Sequence, residues 1–212
     1  MIRACLALCS ALALAGCSRS HEAHPQSAAA APPDWRSIAT EDDRARIRDW
    51  RSAWVEALRR AQAAGFGTVI AREGALLQPD AAAEWQDFPD GVYRCRTIKI
   101  GGQRQGMLDY VAYPAFDCRV RREDGLISFA KLTGSQRPIG YVLPTAGERM
   151  IFLGTLQLGD ETRALEYGRD RERDMAGIVE RIGERRWRLV FPRPHFESMT
   201  DILELVPAGS AP

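Results

Sequence analysis

The sequence predicts a mainly β protein of the α+β class, in which an N-terminal helical segment precedes an antiparallel up-and-down β-barrel, or a flattened sandwich, of about eight strands. Three observations carry this expectation. Apolar residues recur every three or four positions between Thr40 and Gly65, short strand-like runs fill the chain from Asp90 onward, and no helical crossover separates those runs. The composition is that of a folded chain, with 45% hydrophobic and 27% charged residues and a formal charge of +1 over 212 residues. Collagen-like, low-complexity and wholly disordered classes are thereby excluded.

At the start of the chain, Arg3 precedes an apolar run from Leu6 to Ala15, too short to cross a bilayer as a helix. It predicts a secretory signal peptide over residues 1–16. The run closes on Leu14-Ala15-Gly16-Cys17, which resembles the bacterial lipobox. The resemblance implies that Cys17 is acylated and becomes the first mature residue. Each buried acyl methylene contributes about 0.8 kcal/mol, so several chains hold a protein on a membrane without a transmembrane helix. Ser18 in place of an aspartate resembles the default for passage to the outer membrane, and the expected location is lipid-anchored and periplasm-facing. Residues 17–33 are small, polar and proline-bearing and read as a tether. His21 and His24 lie there without a third ligand, so no metal is expected.

Residues 34–89 read as a helical segment packed on the barrel. Thr40 is a helix cap and Glu41, Asp42 and Asp43 fill the first turn, facing the positive end of the dipole. One helix is expected from there to Gly65, with Ile47, Trp50, Trp54, Ala57, Leu58 and Ala61 on its buried stripe. A turn or short strand is expected at Gly67 to Ala71, and a brief helix from Asp80 to Trp85. Residues 90–207 read as the β domain and 208–212 as a disordered tail. Alternation is clearest where Trp187, Leu189 and Phe191 oppose Arg186 and Arg188, and, in a single run from Tyr110 to Val120, where Tyr110, Ala112, Phe116, Cys118 and Val120 oppose Asp117, Arg119 and Arg121. Closure into a barrel is economical because it removes exposed edges.

If the first two runs form a hairpin around residues 101–106, Cys95 falls opposite Cys118, Tyr93 opposite Val120 and Thr97 opposite Phe116. Both cysteines then share the inward face, and an oxidising compartment predicts a disulfide. The alternative is a pair of reactive thiols, which need exposure and a depressed pKa.

Several stretches resemble a bacterial envelope family catalogued as domain of unknown function 4893. They include Asp49-Trp50-Arg51, Gly91-Val92-Tyr93-Arg94-Cys95-Arg96, Tyr110-Val111-Ala112-Tyr113-Pro114, the run from Lys131 to Pro138, and Phe152-Leu153-Gly154-Thr155-Leu156. The similarity runs from about Asp34 to Pro207. It implies an exported protein of this size and no activity to carry over.

Catalytic candidates are few. His195 with Glu197, if extended, presents an acid/base pair on one face, and Asp160 or Glu161 could complete a carboxylate pair with Glu197 for glycoside cleavage. Against this, His195 reads as a surface residue and Gly159-Asp160-Glu161 as a turn. Ser135 lacks the glycine of a nucleophile elbow, and Gly101-Gly102 is followed by a strand, without the helix that holds phosphate. No cofactor or metal is expected. Of 29 basic residues 27 are arginine and only Lys99 and Lys131 are lysine, spread against 28 acids; nucleic acid is not an expected partner.

The leading expectation is a non-catalytic envelope lipoprotein that binds a small apolar ligand or an envelope protein. A hollow barrel would be lined by Tyr93, Phe116, Phe152, Leu156, Trp187 and Leu189; the alternative is that these fill a solid core. A cell-envelope hydrolase with a carboxylate/His cleft is the second expectation, and a scaffold docking through the arginine-rich helix face the third.

Overall fold

A computed structural model describes residues 32–209, positions 87 and 124 excepted. The expected signal peptide, Cys17, His21, His24 and residues 210–212 lie outside the described residues.

The chain begins with α1 (Trp35–Ile38), where the Asp34 carboxylate accepts from the Arg36 N–H and Trp35 is buried. In α2 (Glu41–Arg48), Thr40 Oγ1 accepts from Asp43 N at 3.2 Å. The expected single helix is broken at Asp49, whose φ of −94° and ψ of 7° end α2 and begin α3 (Trp50–Ala61). The break lets α2 pack on one strand while α3 crosses three others. Ala53, Ala57 and Ala61 are small enough to bring α3 down onto the sheet around fully buried Trp54. Gly65, at φ +94°, turns the chain within a wide π-type turn over Gln62–Phe66. Only glycine takes that conformation freely, and the chain continues as α4 (Gly67–Arg72) and a 3-10 turn (Gly74–Leu77). A helix thus stands where a turn or strand was expected.

The expected helix at Asp80–Trp85 is also absent. A turn at Pro79-Asp80, closed by Ala81 N on Gln78 O at 3.2 Å, leads into an irregular course in which Ala83 N donates to Arg181 O at 2.8 Å and Trp187 Nε1 to Gln86 O at 3.2 Å. Pro79 discourages helix, and the irregular course delivers Trp85 and Phe88 to the barrel, a tertiary gain that outweighs the helical preference of three alanines.

Nine antiparallel strands follow: β1 (Gly91–Gly102), β2 (Tyr110–Ala112), β3 (Phe116–Glu123), β4 (Leu126–Lys131), β5 (Gln136–Leu143), β6 (Met150–Leu158), β7 (Asp174–Gly183), β8 (Arg186–Pro192) and β9 (Ser198–Pro207). β1 and β3 to β9 form a closed eight-stranded meander sealed by β1 against β9, and β2 is an extra strand on β1. The closed barrel, and not the flattened sandwich, is the architecture.

Inward residues form one core, including Tyr93, Cys95, Val120, Phe129, Phe152, Val179, Trp187 and Leu189. Outward residues of β1 and β6 to β9, such as Ile98, Ile151, Ile178, Val190 and Ile202, form a second core beneath the helices. The second core explains why β6 to β8 are buried on both faces, although antiparallel sheets commonly leave one face wet. Gly140 and Gly154 pair across β5 and β6, where a Cβ on either would lie 2.2 Å from a backbone oxygen of the other strand.

Arg188 points outward from β8 yet is fully buried under the helical layer. It pairs with fully buried Glu180 at 2.6 Å, donates to the carbonyls of Ala75, Leu76 and Gln78 at 2.6, 3.1 and 2.8 Å, and lies 4.5 Å over the Trp54 ring. The carbonyls that end the 3-10 turn are satisfied this way, and one guanidinium ties helices to barrel.

Cys95 and Cys118 form a disulfide, with Cα atoms 6.0 Å apart. The expected register is corrected: Tyr93 pairs with Cys118 and Cys95 with Phe116, two residues away from the anticipated pairing. The offset is already present in β2, where Ile98 faces Ala112, so it arises in the 103–109 loop; Tyr113 N still donates to Thr97 O at 3.0 Å, and Pro114-Ala115 changes the register by one residue. That irregularity splits the expected single run from Tyr110 to Val120, and Tyr110 packs in the outer core against Phe66 while Cys118 and Val120 face inward. A two-residue shift keeps every side chain on its face, so the cysteines still meet, on a diagonal.

Candidate functional site

The two ends of the barrel differ. At the end where β1 begins, Trp85, Phe88, Tyr93 and Trp187 stack into a plug, with Phe88 5.1 Å from Trp187 and 5.6 Å from Trp85 between ring centres. Phe152 stands in the middle against Phe129 and Phe191. Of the six residues expected to line a hollow interior, Tyr93, Phe152, Trp187 and Leu189 therefore fill a solid core, while Phe116 and Leu156 line a cavity at the opposite end.

That cavity exists because the wall opens. β1 pairs with β3 only from Gly91 to Cys95; from Ile98 to Ile100 its edge is taken by β2. Above the disulfide the barrel has a mouth, with a cavity of about 150 Å³, comparable to one that holds a benzene-sized molecule. Its walls are Phe116, Leu156, Met175, Phe191 and Leu203, with Lys99, Lys131, Gln136 and Asp201 among them. The β8–β9 loop forms the rim with His195, Phe196 and Glu197.

Both lysines of the chain converge here. Lys99 Nζ lies 3.0 Å from Glu197, 3.1 Å from Asp201 and 3.2 Å from Gln136 Oε1. Burial works against its charge, but Asp201 and Glu197 together hold it above the ordinary lysine value. Asp201, which accepts from Ser198 Oγ, is pushed up by burial despite Lys99.

Lys131 differs. It is 6% exposed, donates to Gln136 O at 2.9 Å and lies 3.8 Å over the Phe116 ring. Among the described residues no carboxylate lies within ion-pairing distance of it. Burial, reinforced by the nearby charge of Lys99, pushes it down to about 8. Gly134 leaves the room it needs: a Cβ there would lie 2.9 Å from Phe116 and 3.3 Å from Lys131 Nζ.

The rim is held in an unusual conformation. Arg193 and Glu197 take φ of 46° and 71°, values that side chains with a Cβ seldom adopt and that recur at ligand clamps. Gln103 fastens the loop: its backbone N–H donates to Glu197 O at 2.9 Å and its Nε2 to Pro194 O and Ser198 O at 2.5 and 2.7 Å. His195-Phe196-Glu197 is therefore not extended. The expected shared face of His195 and Glu197 is corrected: both reach the exposed rim, but the Glu197 carboxylate turns onto Lys99. Asp160 and Glu161 lie outside the cavity in the β6–β7 connection. Glu161 accepts from Leu158 N at 2.8 Å and from Arg173 at 2.9 Å, which hold it below the usual carboxylate range. Among the described residues, no group of three His, Cys, Asp or Glu side chains is placed to hold a metal ion, and no helix is long and apolar enough to cross a membrane.

Sequence reasoning passed over Lys99, Lys131, Asp201 and Gln136 as site residues. The signal was present in parity: Lys99 follows Tyr93 and Cys95 on the inward face of β1, and Lys131 follows Ile127 and Phe129 on that of β4. In a chain that writes every other basic residue as arginine, two inward lysines mark a place where arginine does not serve.

Fold and site together define a closed antiparallel barrel, solid at one end and opening at the other into a small pocket with two buried lysines. The family described as Domain of unknown function (DUF4893) matches residues 35–205, and the chain belongs to this family. No curated protein matches the chain, nor does any solved structure.

Proposed function

We propose that the protein is an exported, lipid-anchored envelope module whose barrel mouth binds a small ligand with an anionic group on an apolar body. The observation that carries the pocket reading is the convergence of both lysines on an apolar cavity, with Lys131 lacking a carboxylate partner among the described residues. A buried cation without a counter-charge favours an anion that brings one. The volume of about 150 Å³ suits a ligand of few heavy atoms, below the size range of pockets for drug-sized molecules. Envelope location is supported by the Leu14–Cys17 pattern and by the disulfide, which suits an oxidising compartment.

Thermal-shift and NMR titration against short-chain carboxylates and organophosphates tests the pocket: binding is expected in the full chain and lost in Lys131→Met. Ligand binding that persists in Lys131→Met would remove the reading. The anchor is tested by labelling cells with palmitate, where label retained by Cys17→Ala would defeat it. A hydrolase reading would bring His195, Glu197 and Asp160 or Glu161 around one point; Glu161 is instead fastened to Leu158 and Arg173.

A further inference from the structure

We propose that Lys131 is a carbonyl-capturing amine, and that the small anions this mouth takes include 2-oxo acids held as a reversible imine on Lys131 Nζ. The inference rests on reading the mouth as an anion pocket. It goes further by assigning covalent chemistry to one of its two lysines.

The geometry separates the lysines by role. Lys99 on β1 is locked between Asp201 on β9 and Glu197 on the rim, so its nitrogen stays an ammonium and has no lone pair to offer. Lys131 on β4 faces the Phe116 ring and a backbone carbonyl of β5, and the charged groups that act on it are Lys99, Arg137 and Asp201. Lys99 is paired with Asp201 and Glu197, and the pocket is also lined by Arg46, Glu172 and Asp174, but none of these carboxylates reaches Lys131, and burial removes water from its ammonium. A lysine desolvated in an apolar pocket beside another cation is the arrangement that yields an amine nucleophile near neutral pH. With its value near 8, roughly a tenth of Lys131 is the free amine at pH 7. Lys131 lines the same cavity as the exposed rim residues His195 and Phe196, which gives a ligand entering at the rim a path to that nitrogen.

The free amine adds to the ligand's carbonyl carbon, and one proton passes from nitrogen to the new oxyanion to give the carbinolamine. A proton from water lets the hydroxyl leave as water, and the protonated imine that results returns one proton to water on becoming neutral. A C=N bond replaces the C=O bond. The adjoining carboxylate of a 2-oxo acid supplies the counter-charge that Lys131, unlike Lys99, does not have within ion-pairing distance.

The full chain is incubated with pyruvate, glyoxylate or formaldehyde in the presence of cyanoborohydride, which delivers hydride to the imine carbon and fixes the adduct as a secondary amine. Peptide mass mapping is expected to find the adduct on Lys131 in at least about tenfold excess over Lys99. Its rate should rise with a midpoint near pH 8, and the adduct should disappear in Lys131→Arg, which keeps the charge and cannot condense. Equal labelling of the two lysines, or no labelling of Lys131 by formaldehyde, overturns the inference. If pyruvate or glyoxylate shifts the thermal transition but leaves no adduct, the imine is wrong and the anion pocket stands. If they neither bind nor react, both readings fall for 2-oxo acids.

Discussion

The plugged end and the open end of this barrel are built from the same strands by opposite means. At the plug, the rings of Phe88, of Tyr93 on β1 and of Trp187 on β8 meet each other edge to face or tilted. At the mouth, the same β1 carries Lys99, and its neighbours supply carboxylates, an amide and a second lysine. The plug is stabilised by removing apolar area from water, whereas the mouth holds buried charge, which weighs against folding unless it is paired. An arrangement that stabilises one end and taxes the other shows which end the fold serves and which end serves something else.

The comparison is broken most severely at the plug. Trp187→Ala should lower unfolding free energy by about 3–5 kcal/mol in urea denaturation while leaving the mouth's ligand preference unchanged. Close behind is Lys99→Met, which leaves Asp201 buried without its cation and should cost about 3 kcal/mol, measured the same way. Cys95→Ser should lose about 3 kcal/mol by the chain-entropy account of a loop of this length, and reductant should then have no further effect on the variant.

Lys131→Met separates the two lysines, since removing an unpaired buried cation should leave stability within about 1 kcal/mol of the starting protein or above it. Its pH dependence has a definite sign. Unfolded Lys131 titrates near the ordinary lysine value and folded Lys131 near 8, so below pH 8 both states carry the proton and the burial penalty is full. Between there and the ordinary value only the unfolded chain holds it, and the stability of the starting protein relative to Lys131→Met should rise with pH across that window. The smallest effect is expected on the outer wall, where Arg94→Ala breaks an exposed pair with Asp117 and should change stability by less than about 0.5 kcal/mol.

Much of this was legible because parity is a local property. Trp187, Leu189 and Phe191 alternate against Arg186 and Arg188, and that alternation assigns faces without knowledge of neighbours. It cannot say what covers the outer face, so Arg188 reads as solvated although the helices bury it. The disulfide was legible in the shared parity of Cys95 and Cys118, but the register was not, because it depends on how the 103–109 loop closes and on the one-residue irregularity at Pro114-Ala115. The mouth was least legible. It is made where β2 takes the β1 edge from β3 and, among the described residues, has no strand on its own far side, and a sequence of strand-like runs predicts pairings, not gaps.

The seal between β1 and β9 also sets the order in which the protein can form. Cys95 pairs across the seam with Leu205, and Lys99 with Asp201, partners more than a hundred positions downstream. Hairpins between consecutive strands can form while the chain is still emerging, but contacts of such separation come late and slowly. The pocket therefore has no precursor: Lys99 gains its buried carboxylate only when the last strand docks. A chain truncated before Ser198 would keep most of its hairpins and have no site at all.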